Sequence, residues 1–259
     1  MFKTNNNHTK KEEKPPVIII STMRSGTRMI RDIIAKMPGF CTWPADEINY
    51  IWRHGNALQA TDEFSEELAT QKVKFFIRNT FEKLSKQNGY ARVIEKTPHN
   101  SLRVKFVNSI FPEAKFIFNI RDGRDSSASA VKRYNDPLDL SHILSQARCI
   151  PLSDVPFYAI RYFYYRSHRL FSEGKRDAVL GPIYMGMKED FKKYSLHEVC
   201  ALQWLRCVEK AENDLNQFAP ERIHRIRYED FVSHPVFEFK RLGDFLGIEM
   251  TDQLKNDLS

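Results

Sequence analysis

The sequence predicts a three-layer α/β domain: a central parallel sheet with helices on both faces. Three observations carry this. Strand-like segments recur at 17–22, 91–96, 115–120 and 222–228. Helix-period segments lie between them, and strands alternating with helices indicate a parallel sheet. The 259 residues are 42% hydrophobic and 28% charged, near globular averages and enough for a sizeable core.

The elements follow in order. VIIIST at 17–22 is a continuous β-branched run, the mark of a strand buried on both faces. A helix follows, with Met29, Ile30, Ile33, Ile34 and Met37 on one side and a stop at Pro38–Gly39. Residues 45–60 fit no single pattern. Residues 62–87 read as a helix anchored by Phe64, Leu68, Phe75, Phe76 and Leu84. A short strand at 91–96 precedes a helix at about 100–110, which ends before Pro112. KFIFNI at 115–120 is a buried strand, and a helix starting at Asp122–Asp125 runs to about Tyr134. Residues 135–195 read as irregular. An amphipathic helix at 196–218, a strand at 222–228 and a helix at 236–247 complete the chain.

Lys and Arg number 40 against 33 Asp and Glu, a net charge of +7. The surplus favours an anionic ligand without separating nucleotide, nucleic acid and acidic acceptor. Cys41, Cys149, Cys200 and Cys207 show no CxxC spacing, so neither a zinc site nor a disulfide framework follows. The histidines show no ligand spacing, and no metal is assigned. The start has no apolar stretch before Val17, and no window reaches the 18 apolar residues of a membrane span. These features predict a soluble, cytoplasmic protein. Residues 1–16 are expected to be a disordered basic tail, and 17–259 a single domain.

Two strand–loop–helix junctions carry candidate chemistry. STMRSGTR at 21–28 sits where a phosphate-binding loop belongs, with backbone N–H groups and a helix N-terminus facing an anion. Against G-x-x-x-x-G-K-[ST], Gly26 fills the second Gly position, Ser21 the first, Thr27 the Lys position and Arg28 the metal-binding hydroxyl position. The loop can hold a phosphate but is poorly built for metal–triphosphate hydrolysis. The alternative is a plain turn whose Gly solves a backbone angle. At the second junction, Arg121 ends a strand, Ser129 follows eight residues on, and Arg133 shares a helix face with Ser129. Two guanidinium groups and a hydroxyl can converge there on a second anion. The alternative is that Arg124 and Arg133 are solvated and Arg121 pairs with Asp122 or Asp125.

Together these segments resemble the PAPS-dependent sulfotransferases (PAPS is 3′-phosphoadenosine 5′-phosphosulfate). RSGTR at 24–28 is similar to the family's [KR]-S-G-T-T loop, and Arg121 with Ser129 matches its 3′-phosphate pair. EKTPHN at 95–100, IRDGRD at 120–125, ALQWLRCVEKA at 201–211, RYEDFVSHP and DFLGI are similar to the branch of tyrosylprotein, bacterial and carbohydrate sulfotransferases. The resemblance implies a P-loop NTPase-like fold, PAPS as donor and no metal. It implies that Arg24, Ser25, Gly26, Thr27 and Arg28 hold the 5′-phosphosulfate, although the family's second Thr is Arg28 here. Arg121, Ser129 and Arg133 would hold the 3′-phosphate, Tyr228 would lie near the adenosine, and Lys96 would stand beside the sulfuryl group. A basic closing segment is frequent after DFLGI; here Lys255 is the one cation in the stretch.

Sulfuryl transfer builds charge on the leaving phosphate oxygen, which Arg24, Lys96 and the helix start near Gly26 suit. A base must take the acceptor's proton. Glu47, 23 residues after Arg24, is the choice, with Asp46 and His99 as alternatives. Equally open is that Pro44, Asp46 and Glu47 only start a helix. Glu95 either orients Lys96 or is a strand-end charge. Trp204 reads as packing, and Cys200 and Cys207 as buried thiols. The expected acceptor is a small molecule, carbohydrate or peptide, and not nucleic acid. A small-molecule kinase and a non-catalytic polyanion binder are the competing classes.

Overall fold

The computed structural model describes residues 14–136, 140–160 and 180–249. Five parallel strands form one sheet: β1 (Val17–Ser21), β2 (Phe40–Cys41), β3 (Arg92–Lys96), β4 (Lys115–Ile120) and β5 (Ile223–Arg227), in the order β2-β3-β1-β4-β5. β1 is central and buried along its whole length. Its side chains alternate between two layers. Ile18 and Ile20 enter a core with Trp52, Phe81, Phe106, Phe116 and Phe118. Val17 and Ile19 enter a second core with Ile30, Ile34, Ile117, Phe239 and Leu242. Two buried faces explain the unbroken apolar run at 17–20, because neither face can tolerate a polar side chain. The expected three-layer architecture is therefore observed.

Register brings the carboxyl ends of the strands together. Ile19 lies opposite Lys96 on one side and Ile117 on the other, and Ser21 lies opposite Asn119. The loops after β1, β3 and β4 thus open on one edge of the sheet, where parallel α/β folds place ligands. Two helices leave that edge: α1 (Thr27–Ala35) after β1, and α5 (Gly123–Asn135) after β4. Between them in sequence run a single turn α2 (Asn49–Trp52), α3 (Gln71–Gln87) and α4 (Val104–Ile110).

Several expectations are corrected. The helix expected over 62–87 begins at Gln71, where the Thr70 hydroxyl accepts from Val73 N. Residues before it form a 3-10 turn, Glu66–Leu68. Its buried ridge is Val73, Ile77 and Phe81, so Phe75 falls on the outer face at 69% exposure and anchors nothing. The helix expected near 100 starts as a 3-10 turn, Pro98–Leu102, and turns α-helical at Val104. Met29 is exposed rather than core. The stretch 135–195 is not wholly irregular: α6 (Leu140–Ala147), a 3-10 turn Leu152–Asp154, helical residues 155–160 and a helix Met187–Lys193 lie in it. Tyr228 is not the end of a strand but the first residue of a short helix, Tyr228–Ser233. The long helix Leu196–Leu215 opens with a reciprocal Ser195–Glu198 capping box. Most of the expected N-terminal tail and Lys255 lie outside the described residues. Among the described residues, no helix is long and apolar enough to cross a membrane.

Candidate functional site

The loop between β1 and α1 turns sharply. Arg24 has φ 63° and Gly26 φ 74°, both left-handed. Such a conformation costs a non-glycine residue about 1 kcal/mol or more, so neighbours must hold Arg24 there. They do. Arg121 Nη1 donates to the Arg24 carbonyl at 3.1 Å, and Arg24 Nε donates to Ser129 Oγ at 2.9 Å. Asn119 Nδ2 donates to the Ser25 carbonyl at 2.7 Å, and the Thr22 and Ser25 hydroxyls bond at 2.6 Å. Gly26 has a second reason to be Gly. A Cβ there would stand 2.2 Å from Cε2 of Tyr228, whose ring lies over the loop. Thr27 opens α1 and is buried, and Arg28 is exposed.

The second junction is built against the first. The Arg121 guanidinium stacks 4.6 Å from the centre of the Tyr228 ring and stands 3.8 Å from Asp125. The ion pair read as its alternative partner is therefore present, but long. Trp204 Nε1 donates to the Arg121 carbonyl at 3.1 Å, and its ring covers Gly123 so closely that a Cβ would meet it at 2.8 Å. Glu229 accepts from Asp122 N at 2.8 Å, while Asp122 caps α5 and pairs with exposed Arg124. Arg133 lies one helical turn beyond Ser129 on α5 and is half-buried.

Beside the loop stands an acid–base cluster. Lys96, 4% exposed, reaches Asp46 at 2.9 Å and Glu47 at 3.4 Å. Asp46 is shared with Arg31 at 2.8 Å and Arg28 at 3.4 Å. Burial alone would raise the Asp46 carboxyl, but Lys96, then Arg31 and Arg28, outweigh it and hold it below the usual range. Glu47 Oε2 stands 3.9 Å from His99 Nδ1. Burial pushes His99 below its usual value, which keeps the ring neutral near pH 7. Neither Asp46 nor Glu47 starts a helix: the turn that follows, Asn49–Trp52, has Ile48 at its cap and no acid in its first turn.

Beneath this cluster lies a buried layer. Glu95 is 1% exposed, accepts from Thr97 Oγ1 and Asn100 Nδ2, and burial pushes its carboxyl up to about 7. It is thus not a strand-end charge, and no bond joins it to Lys96. Asp62 pairs with Arg53 at 2.7 Å and stands 3.5 Å from Arg103, which is fully buried. Sequence reasoning missed Asp62, Arg53 and Arg103, and nothing in their wide spacing signals that they meet. Trp204, expected to be packing, also bonds the Arg121 carbonyl and covers Gly123; its place in the ALQWLRC segment is the available signal. Cys200 and Cys207 are buried thiols, and burial pushes Cys207 up to about 12. Among the described residues, no group of three or more His, Cys, Asp or Glu is placed to hold a metal ion.

The arrangement places two polar corners at this edge of the sheet, at 24–27 and at Arg121–Ser129, joined by the Arg24–Ser129 bond; each presents donors that could face an anion. A buried Lys and two acids stand beside them. Comparison with known proteins gives the family and the fold. The profile described as "Sulfotransferase family" matches residues 15–150 and 175–252. No curated protein matches the chain. Among solved structures, a sulfotransferase domain from the curacin biosynthetic pathway is 16% identical and superposes with a TM-score of 0.57, over 93% of this chain and 76% of its own. The sulfotransferase domain of the Synechococcus PCC 7002 olefin synthase is 14% identical, with a TM-score of 0.55 over 96% of this chain and 79% of its own. Sulfotransferase STF1 of Mycobacterium tuberculosis H37Rv is 10% identical, with a TM-score of 0.54 over 95% of this chain and 71% of its own. At these identities the structural likeness speaks for the fold.

Proposed function

Since the chain belongs to the sulfotransferase family, and is thereby a PAPS-dependent transferase, we propose that it moves the sulfuryl group in line, without a metal, to a hydroxyl or amine of its acceptor. The observation that carries the reading is the pair of anion corners bridged by Arg24 and Ser129. A donor with phosphate at both its 3′ and 5′ positions needs two such corners. The residues fit. Gly26, with no Cβ of its own, lets the Tyr228 ring pack directly on the loop, where that ring can meet the adenosine.

In this reading Arg24, Ser25, Gly26 and Thr27 hold the phosphosulfate, and Arg28 sits at its edge, turned toward Asp46. Arg121, Ser129 and Arg133 hold the 3′-phosphate, and Tyr228 meets the adenosine. The acceptor oxygen attacks sulfur, and the bond from sulfur to the phosphate oxygen breaks. Charge then grows on that oxygen, where Lys96 and Arg24 stabilise it. Glu47 takes the acceptor's proton, with neutral His99 beside it. Lys96 serves both ends: it meets the leaving oxygen and orients the Glu47 carboxylate. Asp46, held by three cations, is a poor base and acts as their anchor.

The acceptor is a small molecule, carbohydrate or peptide. The single domain spans residues 17–259 behind a short basic tail, and four free cysteines suit the reducing cytoplasm. The test is incubation with labelled PAPS and a panel of phenol, sugar, peptide and lipid acceptors, read by mass spectrometry. A gain of one sulfate without added magnesium supports the reading. Phosphate transfer from ATP with strict magnesium dependence would replace it with a kinase.

A further inference from the structure

Glu47 sits on a segment with little regular structure to fix it. Ile48, the next residue, caps a single helical turn and receives no side-chain cap. Two hydrogen-bond chains nevertheless tie this segment down, and both end on the same carboxylate. In the first, Ile48 N donates to Thr97 Oγ1 at 3.1 Å, and the Thr97 hydroxyl donates to Glu95 Oε1. In the second, Asn49 Oδ1 accepts from Arg103 Nη2 at 2.6 Å. Arg103 Nε then donates to Asn100 Oδ1 at 2.9 Å, and Asn100 Nδ2 to Glu95 Oε2 at 3.1 Å. Glu95, Thr97, Asn100 and Arg103 are all at most 1% exposed.

The two chains hold the residues immediately after Glu47, while its own carboxylate stays 21% exposed and faces Lys96 and His99. A buried carboxylate is costly, and replacing it by apolar groups would often be neutral for stability. Its placement at the meeting point of both chains gives it a different use. We propose that Glu95 is a positioning residue for sulfuryl transfer: through Thr97 and Asn100 it sets where the Glu47 carboxylate stands against Lys96 and His99. The inference rests on the reading of Glu47 as base.

Thr97 is the link to cut. Thr97→Val keeps the shape but can neither accept from Ile48 nor donate to Glu95, whereas Thr97→Ser keeps both bonds. The experiment compares Thr97→Val, Thr97→Ser, Glu47→Gln and the Thr97→Val/Glu47→Gln double variant in the full chain. Turnover is read as release of adenosine 3′,5′-bisphosphate from PAPS with the acceptor that the panel returns. Bisphosphate affinity is read by calorimetry, and exchange of the 44–52 peptide by hydrogen–deuterium mass spectrometry.

A misplaced reacting group costs on the order of a hundredfold, so Thr97→Val should lose about that much kcat. Its KM for PAPS and its bisphosphate affinity should stay within about twofold, since the loss lies in the transition state. Thr97→Ser should restore turnover, the 44–52 peptide should exchange faster only in the Val variants, and the double variant should be no slower than Glu47→Gln. Near-normal kcat in Thr97→Val beside a crippled Glu47→Gln overturns this inference alone. So do losses that multiply in the double variant, or loss of bisphosphate binding in Thr97→Val, which marks a general folding role. A fully active Glu47→Gln overturns the base assignment and this inference with it.

Discussion

Arg24 and Lys96 are both cations near the same expected charge, yet they are held differently. Arg24 is bonded to Ser129 across the mouth, whereas Lys96 is buried between two carboxylates. Both should matter more to the transition state than to binding. Arg24→Ala and Lys96→Ala should each lower kcat on the order of a hundredfold or more, with a smaller change in bisphosphate affinity. Steady-state kinetics beside calorimetry checks this, and normal turnover in Lys96→Ala would make it a structural residue. Glu47→Gln should lower turnover by about a hundredfold with bisphosphate affinity unchanged. His99→Gln, measured in parallel, should lose less; the reverse ranking would move the base to His99. Arg24, Arg121 and Ser129 were legible in the sequence because each lies at a strand end or one helix away from it. Glu95 was not. Its role depends on Ile48 and Asn49, nearly fifty residues away, and no local pattern encodes that meeting.

At the scale of elements, the β1–α1 loop is the least tolerant piece. Gly26→Ala adds both a strained φ and a clash with the Tyr228 ring, whereas Gly39→Ala, at φ 82°, meets nothing within 4 Å. Gly39→Ala should therefore cost about 1 kcal/mol from backbone strain alone. Gly26→Ala should cost more and also weaken bisphosphate binding, because Tyr228 must leave its place over the loop. Melting curves and calorimetry on the two variants separate these effects; equal losses without an affinity change would contradict the close packing. Strands were legible because a central parallel strand is apolar on both sides. Helix phase was less so. Phe75 and Phe76 are adjacent, and only the Thr70 cap with the Val73–Ile77–Phe81 ridge decides that Phe75 faces out. The two-residue β2 was missed because it is too short to show alternation.

For the whole molecule, burial and then the nearby Arg241 charge push His224 down to about 4. Above pH 6.5 the ring is neutral in both folded and unfolded chains and stability is unaffected. As pH falls from 6.5 toward 4, the unfolded chain takes up a proton that the native state refuses, so stability drops. Between pH 7 and pH 5 this amounts to about 2 kcal/mol. Glu95 works in the opposite sense: its raised value favours the native state more as pH falls from 7 toward 4.5. His224→Phe preserves the stacking on Phe245 and removes the proton site. Urea melts at pH 7 and pH 5 should show the variant losing about 2 kcal/mol less than the unmodified protein. An equal acid loss would show that His224 is protonated in the native state.

The account depends most on there being two anion corners filled by one nucleotide. The direct measurement is calorimetric titration of the full chain with adenosine 3′,5′-bisphosphate and with AMP. The two differ only by the 3′-phosphate that Arg121, Ser129 and Arg133 are proposed to hold. Each charge-assisted bond contributes roughly 1.5–3 kcal/mol, so the bisphosphate should bind at least about tenfold more tightly. Arg121→Ala should erase most of that difference and, because Arg121 also holds the Arg24 carbonyl and packs on Tyr228, weaken AMP binding to a smaller degree. Equal affinity for the two nucleotides would contradict the donor site, and with it the placement of the chemistry at this edge of the sheet.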